Sequence, residues 1–314
     1  MRAVLIDCDP GHDDALAIMA ALANPEALHI LGITTIGGNQ TLQKVTKNAQ
    51  NILGFLAADV PLVSGQAVPL VKALATAPEA HGESGMDGPF FEKIDYPLSG
   101  ENAVEFMRER IEVSADKVTI IGLGPLTNIA LLLKTFPQVK ENIESIALMG
   151  GGLDHGNQTP LAEFNIFVDP EAAEIVFQSG LPIIMAGLDV TEKAEITVKE
   201  IEELQHGGKV SRLAYELLHF YNESGHQFGF IDSPLHDLCA VAYLLKPALF
   251  EGKQADIQVI TDDSAARGLT YGDFRRTAAS PKNTLVLQEV EREGFISLLT
   301  EALVYLDKRA EMNG

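Results

Sequence analysis

The chain is expected to fold as a single α/β domain over residues 1–314, a mostly parallel open sheet with helices on both faces. Three observations predict it. Short apolar runs bounded by turn residues alternate with stretches of helical spacing, the order that places helices over a parallel sheet. Glycine or carboxylate residues follow one apolar run after another, as they do where loops open on one sheet edge. No linker, repeat or low-complexity segment interrupts the pattern.

Taken in order, Ala3-Val4-Leu5-Ile6 reads as a buried strand, Pro10-Gly11 as a sharp turn, and Asp13-Asp14 as the opening of an apolar helix. Leu28 to Thr35 is a second strand, ending in Gly37-Gly38-Asn39, and Leu42 to Leu56 is a helix with apolar residues three and four apart. Ala73 to Pro89, rich in Ala, Pro, Gly and His, reads as a long loop. Lys117 to Gly122 is a strand, followed by Gly124-Pro125-Leu126-Thr127-Asn128 and a helix to Leu133. Ile143 to Met149 is a strand before Gly150-Gly151-Gly152, Pro170 to Phe177 a helix, and Pro182 to Ala186 a strand. Asn222 to Pro234 reads as another long loop, and Leu235 to Leu245 as a helix carrying His236 and Asp237 at its start. From Ala255 to Val290 β-runs mix with turns, and Arg292 to Arg309 is the final helix. Asp7, Asp9, Asn39, Leu123, Gly150 to Gly152 and Asp189 all follow apolar runs, so their loops should converge outside the carboxyl ends of the strands.

Composition bounds the function. A chain with 46% hydrophobic and 21% charged residues has material for a large core. A net charge of −21 argues against a nucleic-acid partner, whose backbone calls for Lys and Arg. No apolar run approaches membrane-spanning length and no leader-like segment precedes Ile6, so a cytoplasmic location without a membrane partner is expected. Cys8 and Cys239 match no zinc or redox spacing and read as buried packing residues.

The segment Asp7-Cys-Asp9-Pro-Gly-His-Asp13-Asp14 carries the chemistry. Four carboxylates within eight residues repel one another unless a proton or a cation neutralises them, and a hard, oxygen-loving cation is the economical solution. A capped helix start beside a solvated acidic loop is the plainer alternative. His12 reads as an ordinary polar residue of the turn. The glycine clusters fit neither the dinucleotide nor the P-loop fingerprint.

Together with Gly38-Asn39, His81-Gly-Glu-Ser-Gly85, Gly124-Pro-Leu-Thr-Asn128, Met149-Gly-Gly-Gly152, Ala162-Glu-Phe-Asn165, Asp169-Pro-Glu-Ala172 and His236-Asp237, this segment resembles the nucleoside hydrolases, the inosine-uridine preferring N-ribohydrolases, over almost the whole chain. The resemblance implies a Rossmann-like fold and a Ca²⁺-dependent enzyme that hydrolyses the N-glycosidic bond of a ribonucleoside to ribose and free base, with uridine, cytidine or inosine as substrates. It implies Ca²⁺ ligation by Asp9, Asp14, Asp237 and the carbonyl of Leu123, where the family often has threonine. It implies ribose contacts from Asp13, Asn39, Asn157, Glu163 and Asn165, an orienting carboxylate in Asp7, and a homo-oligomer, a tetramer by family habit. Asp9 is then the base that activates a water on the metal, and His236, with His81, helps the departing base. Tyr221, His226, Gln227 and Phe228 would wall the base. The absence of Trp removes indole stacking and tilts the expectation toward pyrimidine or mixed specificity. A phosphohydrolase of the Asp-X-Asp type and a non-enzymatic calcium-dependent riboside binder remain as alternatives.

Overall fold

In the computed structural model, residues 1–92, 94–275 and 282–313 are described. Of the mixed stretch from 255 to 290, residues 276–281 therefore lie outside them. The strands are β1 (Arg2–Cys8), β2 (Leu28–Thr35), β3 (Leu62–Ser64), β4 (Val118–Gly122), β5 (Ile143–Met149), β6 (Ile183–Ala186), a two-residue ribbon of β7 (Glu195–Ile196) with β8 (Ser233–Pro234), then β9 (Phe250–Val259), β10 (Thr270–Asp273) and β11 (Thr284–Val290). Nine of them form one sheet in the order β10-β9-β11-β6-β5-β4-β1-β2-β3. From β3 to β11 neighbours run parallel, and β9 and β10 close that edge antiparallel.

This order places the site. From β1 the chain steps outward through β2 to β3, and from β4 it steps the other way through β5 to β6. The strand order reverses between β1 and β4, and the helices that follow them leave on opposite sides. That divergence opens a crevice at the carboxyl ends, the standard ligand position of such sheets. Asp9 follows β1, Asn39 follows β2 and Leu123 follows β4. Asp7 differs from expectation by one detail: it lies within β1, opposite Thr34 and Gly122, not in the loop beyond.

Alternation along β1 divides the core. Val4, Ile6 and Cys8 join one apolar cluster, Ala3 and Leu5 the other. The first cluster holds the helix His12–Leu22, all of whose residues are buried, packed among the helices Lys209–Gly225, Leu238–Leu245 and Arg292–Asn313. A helix apolar on every side is a core helix. It holds Asp13 and Asp14 in place. Cys8 and Cys239 are buried and free, as expected of packing residues.

The two long loops are shorter than their sequence suggests. Pro78–His81 is a helical turn inside the first, and Asn222–Gly225 is the last turn of the 17-residue helix Lys209–Gly225. The two segments are clasped together: Ser224 donates to the carbonyl of Ala80 at 2.8 Å, and Gln227 to that of Glu79 at 2.7 Å.

Candidate active site

Beneath the clasped segments lies a cavity of about 520 Å³, at the carboxyl edge of the sheet. Its lining includes Asp13, Asn39, Leu123, Glu163, Asn165 and Asp237, and also His81, Asn157, Tyr221, Phe228 and His236. Asp9, Asp14 and Asp7 do not line it; all three are buried. Gln227 and His226 also stand outside it. Both are exposed, and the Gln227 amide donates to the loop clasp; Phe230 lines the cavity where they do not. Asp189, likewise, faces elsewhere and accepts the amides of Leu153 and Asp154.

The acidic end is built by the β1 turn. Asp14 caps its own helix, accepting from the amide of Gly11 at 2.9 Å and that of Asp9 at 3.3 Å. Asn39 ties β2 to this turn: its amide donates to Asp9 Oδ2 at 2.6 Å, and its side chain to the Asp9 carbonyl and to Asp14. Gly38 and Gly124 leave the Asp9 carboxylate its room, since a Cβ at either would overlap it. Asp7 accepts from Thr34 at 2.6 Å and Asn128 at 2.8 Å, two partners that sequence reading had not assigned. Asp237 arrives from the far part of the chain, and one carboxylate oxygen each from Asp13, Asp14 and Asp237 can be found within 4.8 Å of one another. Asp13 thus stands in the tight trio where Asp9 was expected.

The electrostatics follow from burial. Desolvation, then Asp14, raises Asp9 well above the ordinary carboxylate range. Burial and then Asp14 bring Asp13 to about 7, and burial and then Asp13 raise Asp237 far more. Burial alone outweighs the two hydrogen bonds on Asp7 and lifts it to about 7. Among the described residues no Lys or Arg pairs with any of these carboxylates. Asp9 Oδ1 is buried with no hydrogen-bond partner among the described residues. An orphaned buried acceptor costs about 1–3 kcal/mol, more when charged. An all-oxygen set without an organic cation, holding one unsatisfied carboxylate oxygen, fits a hard divalent cation.

The flank of the site is made of short connections. Glu163 caps the helix Phe164–Val168, its carboxylate accepting from the amides of Gly151, Asn165 and Ile166. That leaves about one of its four lone-pair sites for a ligand. Asn165 donates to the Leu123 carbonyl at 2.9 Å, so the proposed backbone ligand already has one partner. Asn157, exposed on the rim, accepts from the Phe164 amide.

Imidazole and aromatic rings also line the cavity. Burial lowers His236 to about 4, and its Nδ1 meets Thr191 Oγ1 at 2.8 Å, a partner no sequence motif announced. His81 lies far below its ordinary value, through burial first and then the nearby His12. Contrary to its reading as a turn residue, His12 is the first residue of its helix, fully buried, and stacked on His81, Phe220 and Tyr221. The cavity therefore brings carboxylate and amide groups together with neutral imidazole and aromatic rings, the two kinds of surface that a sugar joined to a flat base would meet.

The family model of the inosine-uridine preferring nucleoside hydrolases matches residues 4–297. The chain is 45% identical over 306 residues to the pyrimidine-specific ribonucleoside hydrolase RihA of Escherichia coli O7:K1, covering 96% of this chain and 98% of that one. It is 44% identical, over the same shares, to the RihA of Salmonella paratyphi B. Among solved structures, the purine-preferring ribonucleoside hydrolase from Gardnerella vaginalis superposes with a TM-score of 0.91 at 31% identity, covering 98% of this chain and all of that one. On the strength of a match that spans almost its full length, the chain belongs to the nucleoside hydrolases, enzymes that act on N-glycosyl bonds.

Proposed function

We propose that the protein hydrolyses the N-glycosidic bond of ribonucleosides, pyrimidine ribonucleosides foremost, to ribose and free base, with Ca²⁺ held by Asp9, Asp14, Asp237 and the Leu123 carbonyl. The observation that carries this reading is the buried Asp9 Oδ1, without a hydrogen-bond partner among the described residues, in a carboxylate cluster beside a cavity lined by Asp13, Asp237, His81 and His236. When bound, such an ion supplies positive charge that acidifies a water and grips a vicinal diol. Asp9, whose Oδ1 is free to accept, takes the proton from the attacking water. Asp13, Asn39, Asn165, Asn157 and the remaining lone pair of Glu163 hold the ribose. Cleavage builds oxocarbenium character on the sugar, which the buried carboxylates favour. His236 and His81 serve the departing base, against Tyr221 and Phe228. Pyrimidine preference rests on the identity to the RihA enzymes and on the absence of Trp for indole stacking. A panel of ribonucleosides followed by reducing-sugar release tests it: uridine and cytidine should be turned over faster than inosine. Release of phosphate from nitrophenyl phosphate, or riboside binding without turnover, would overturn it.

The buried carboxylates also make the stability of the metal-free protein depend on pH. Asp7 and Asp13 titrate near 7 in the fold against 3.8 for the ordinary group, so the folded chain keeps protons that the unfolded chain has released. Their stabilising contribution is complete below about pH 4 and is lost as pH rises through about 7. Cation binding to ionised carboxylates runs the opposite way. Chelated protein should therefore lose Tm between about pH 5 and 8, while the gain from added Ca²⁺ grows over that range. At about 100 times Kd that gain is about 2.7 kcal/mol, a shift of several degrees. Differential scanning calorimetry at three pH values checks it; a Ca²⁺ gain that shrinks with rising pH would count against the ligand set.

A further inference from the structure

Two histidine rings meet here in a way the reaction outlined above does not use. His12 Nδ1 lies 3.1 Å from His81 Nδ1, and His12 Nε2 lies 2.7 Å from the carbonyl oxygen of Asp87. The rings are stacked, 5.4 Å between centroids and 16° between planes, and both are buried. A carbonyl can only accept, so the proton on that side sits on His12 Nε2. A neutral His12 then offers a lone pair at Nδ1, and the single proton between the two rings belongs to His81 Nδ1. The reverse arrangement needs a cationic His12, stacked against Phe220 and Tyr221 in a buried site, with a carbonyl as its only hydrogen-bond acceptor besides His81 among the described residues. His81 Nε2 has no hydrogen-bond partner among the described residues, and the ring lines the cavity.

We infer that His12 is a positioning residue for the leaving-group side of the site: the Asp87 carbonyl and His12 together fix His81 with its proton on Nδ1 and present Nε2 to the departing base. The inference rests on the proposed role of His81. Neutral His81 first takes up a proton from solvent at Nε2; as the C1′–N bond breaks, its electron pair goes to the base nitrogen and that proton passes from Nε2 to the base. His81 is left neutral with its Nδ1–H still on His12. The proton that water yields to Asp9 returns to solvent and closes the balance. The arrangement has the logic of a triad's third member, which orients an imidazole and sets its tautomer without touching substrate.

Imidazole ¹⁵N NMR of the histidine-labelled, Ca²⁺-loaded enzyme tests this, with the His81 signals assigned by their absence from H81A. In the wild type the neutral His81 should show a protonated Nδ1 and a bare Nε2; the opposite tautomer would overturn the inference. H12F keeps the stacked ring and removes both nitrogens, and should leave His81 a mixture of tautomers. Its kcat on uridine should fall about 10–100-fold, the range seen when an orienting partner is lost. Turnover of p-nitrophenyl riboside, which needs no proton for its leaving group, should change little. H12N, whose Oδ1 can accept from His81 Nδ1, should recover most of the uridine rate and the single tautomer. Equal losses on both substrates, or an unchanged His81 tautomer in H12F, would refute the positioning role. If H81A itself loses both substrates equally while H12F shifts the tautomer as described, the leaving-group role of His81 fails and the His12 contact stands.

Discussion

Replacing Asp9 by asparagine is expected to lower kcat for uridine by about 10²–10⁴-fold, the worth of a general base. The change preserves shape but puts an amide where Asp9 now has one carboxylate oxygen bound to the Asn39 amide and the other without a partner among the described residues. If Oδ1 is the proton acceptor, the loss falls on kcat and is insensitive to the leaving group, because activation of water precedes any help to the base. D237A should behave differently, emptying the cation site and recovering in part with excess Ca²⁺. Metal content measured alongside kcat separates the two effects. Near-normal kcat in metal-replete D9N would remove Asp9 as the base.

Removal of the 2′-hydroxyl from the substrate should be as damaging. The cavity is lined by Asp13, Asn39, Asn165 and Asp237, all buried and polar and proposed above to face the ribose. A site built to hydrogen-bond a hydroxyl rejects an analogue lacking it by about 10⁴-fold, because its polar groups are then left dry and unpaired. Uridine and deoxyuridine should differ in kcat/KM on that scale. Comparable values would mean that the diol is not what these carboxylates recognise, and would send the ribose assignment elsewhere in the cavity.

Most of the sheet was legible because its strands are continuous apolar runs. Leu28–Thr35 and Ile143–Met149 match their sequence bounds, and the sheet-forming runs near Val118 and Ile183 are off by one residue. The edge strand β3, three residues long, is too short to show a pattern. The helix Lys209–Gly225 was missed: its final turn, Asn222 to Gly225, sits in a stretch read as loop, and its amphipathic spacing was overlooked. In the site, the carboxylates were legible because four of them are neighbours in sequence. The ranking among them was not, since only geometry shows that Asp13 joins Asp14 and Asp237 while Asp9 is left with an unpaired oxygen. His12 was misread for a related reason. Its partners, His81, Asp87 and Phe220, come from distant segments, so nothing local distinguishes it from a polar turn residue.

Asp237 meets Asp13 and Asp14 across most of the length of the chain, and that separation has a consequence for synthesis. A growing polypeptide has the β1 turn complete within its first few residues, yet the last carboxylate of the trio emerges only after the whole first wing of the sheet and β6 have been made. Until then, closing the gap costs loop entropy that no contact offsets. A cation site that needs Asp237 is therefore complete only late in synthesis, and a ribosome-stalled chain ending before His236 should bind Ca²⁺ more weakly than the full chain.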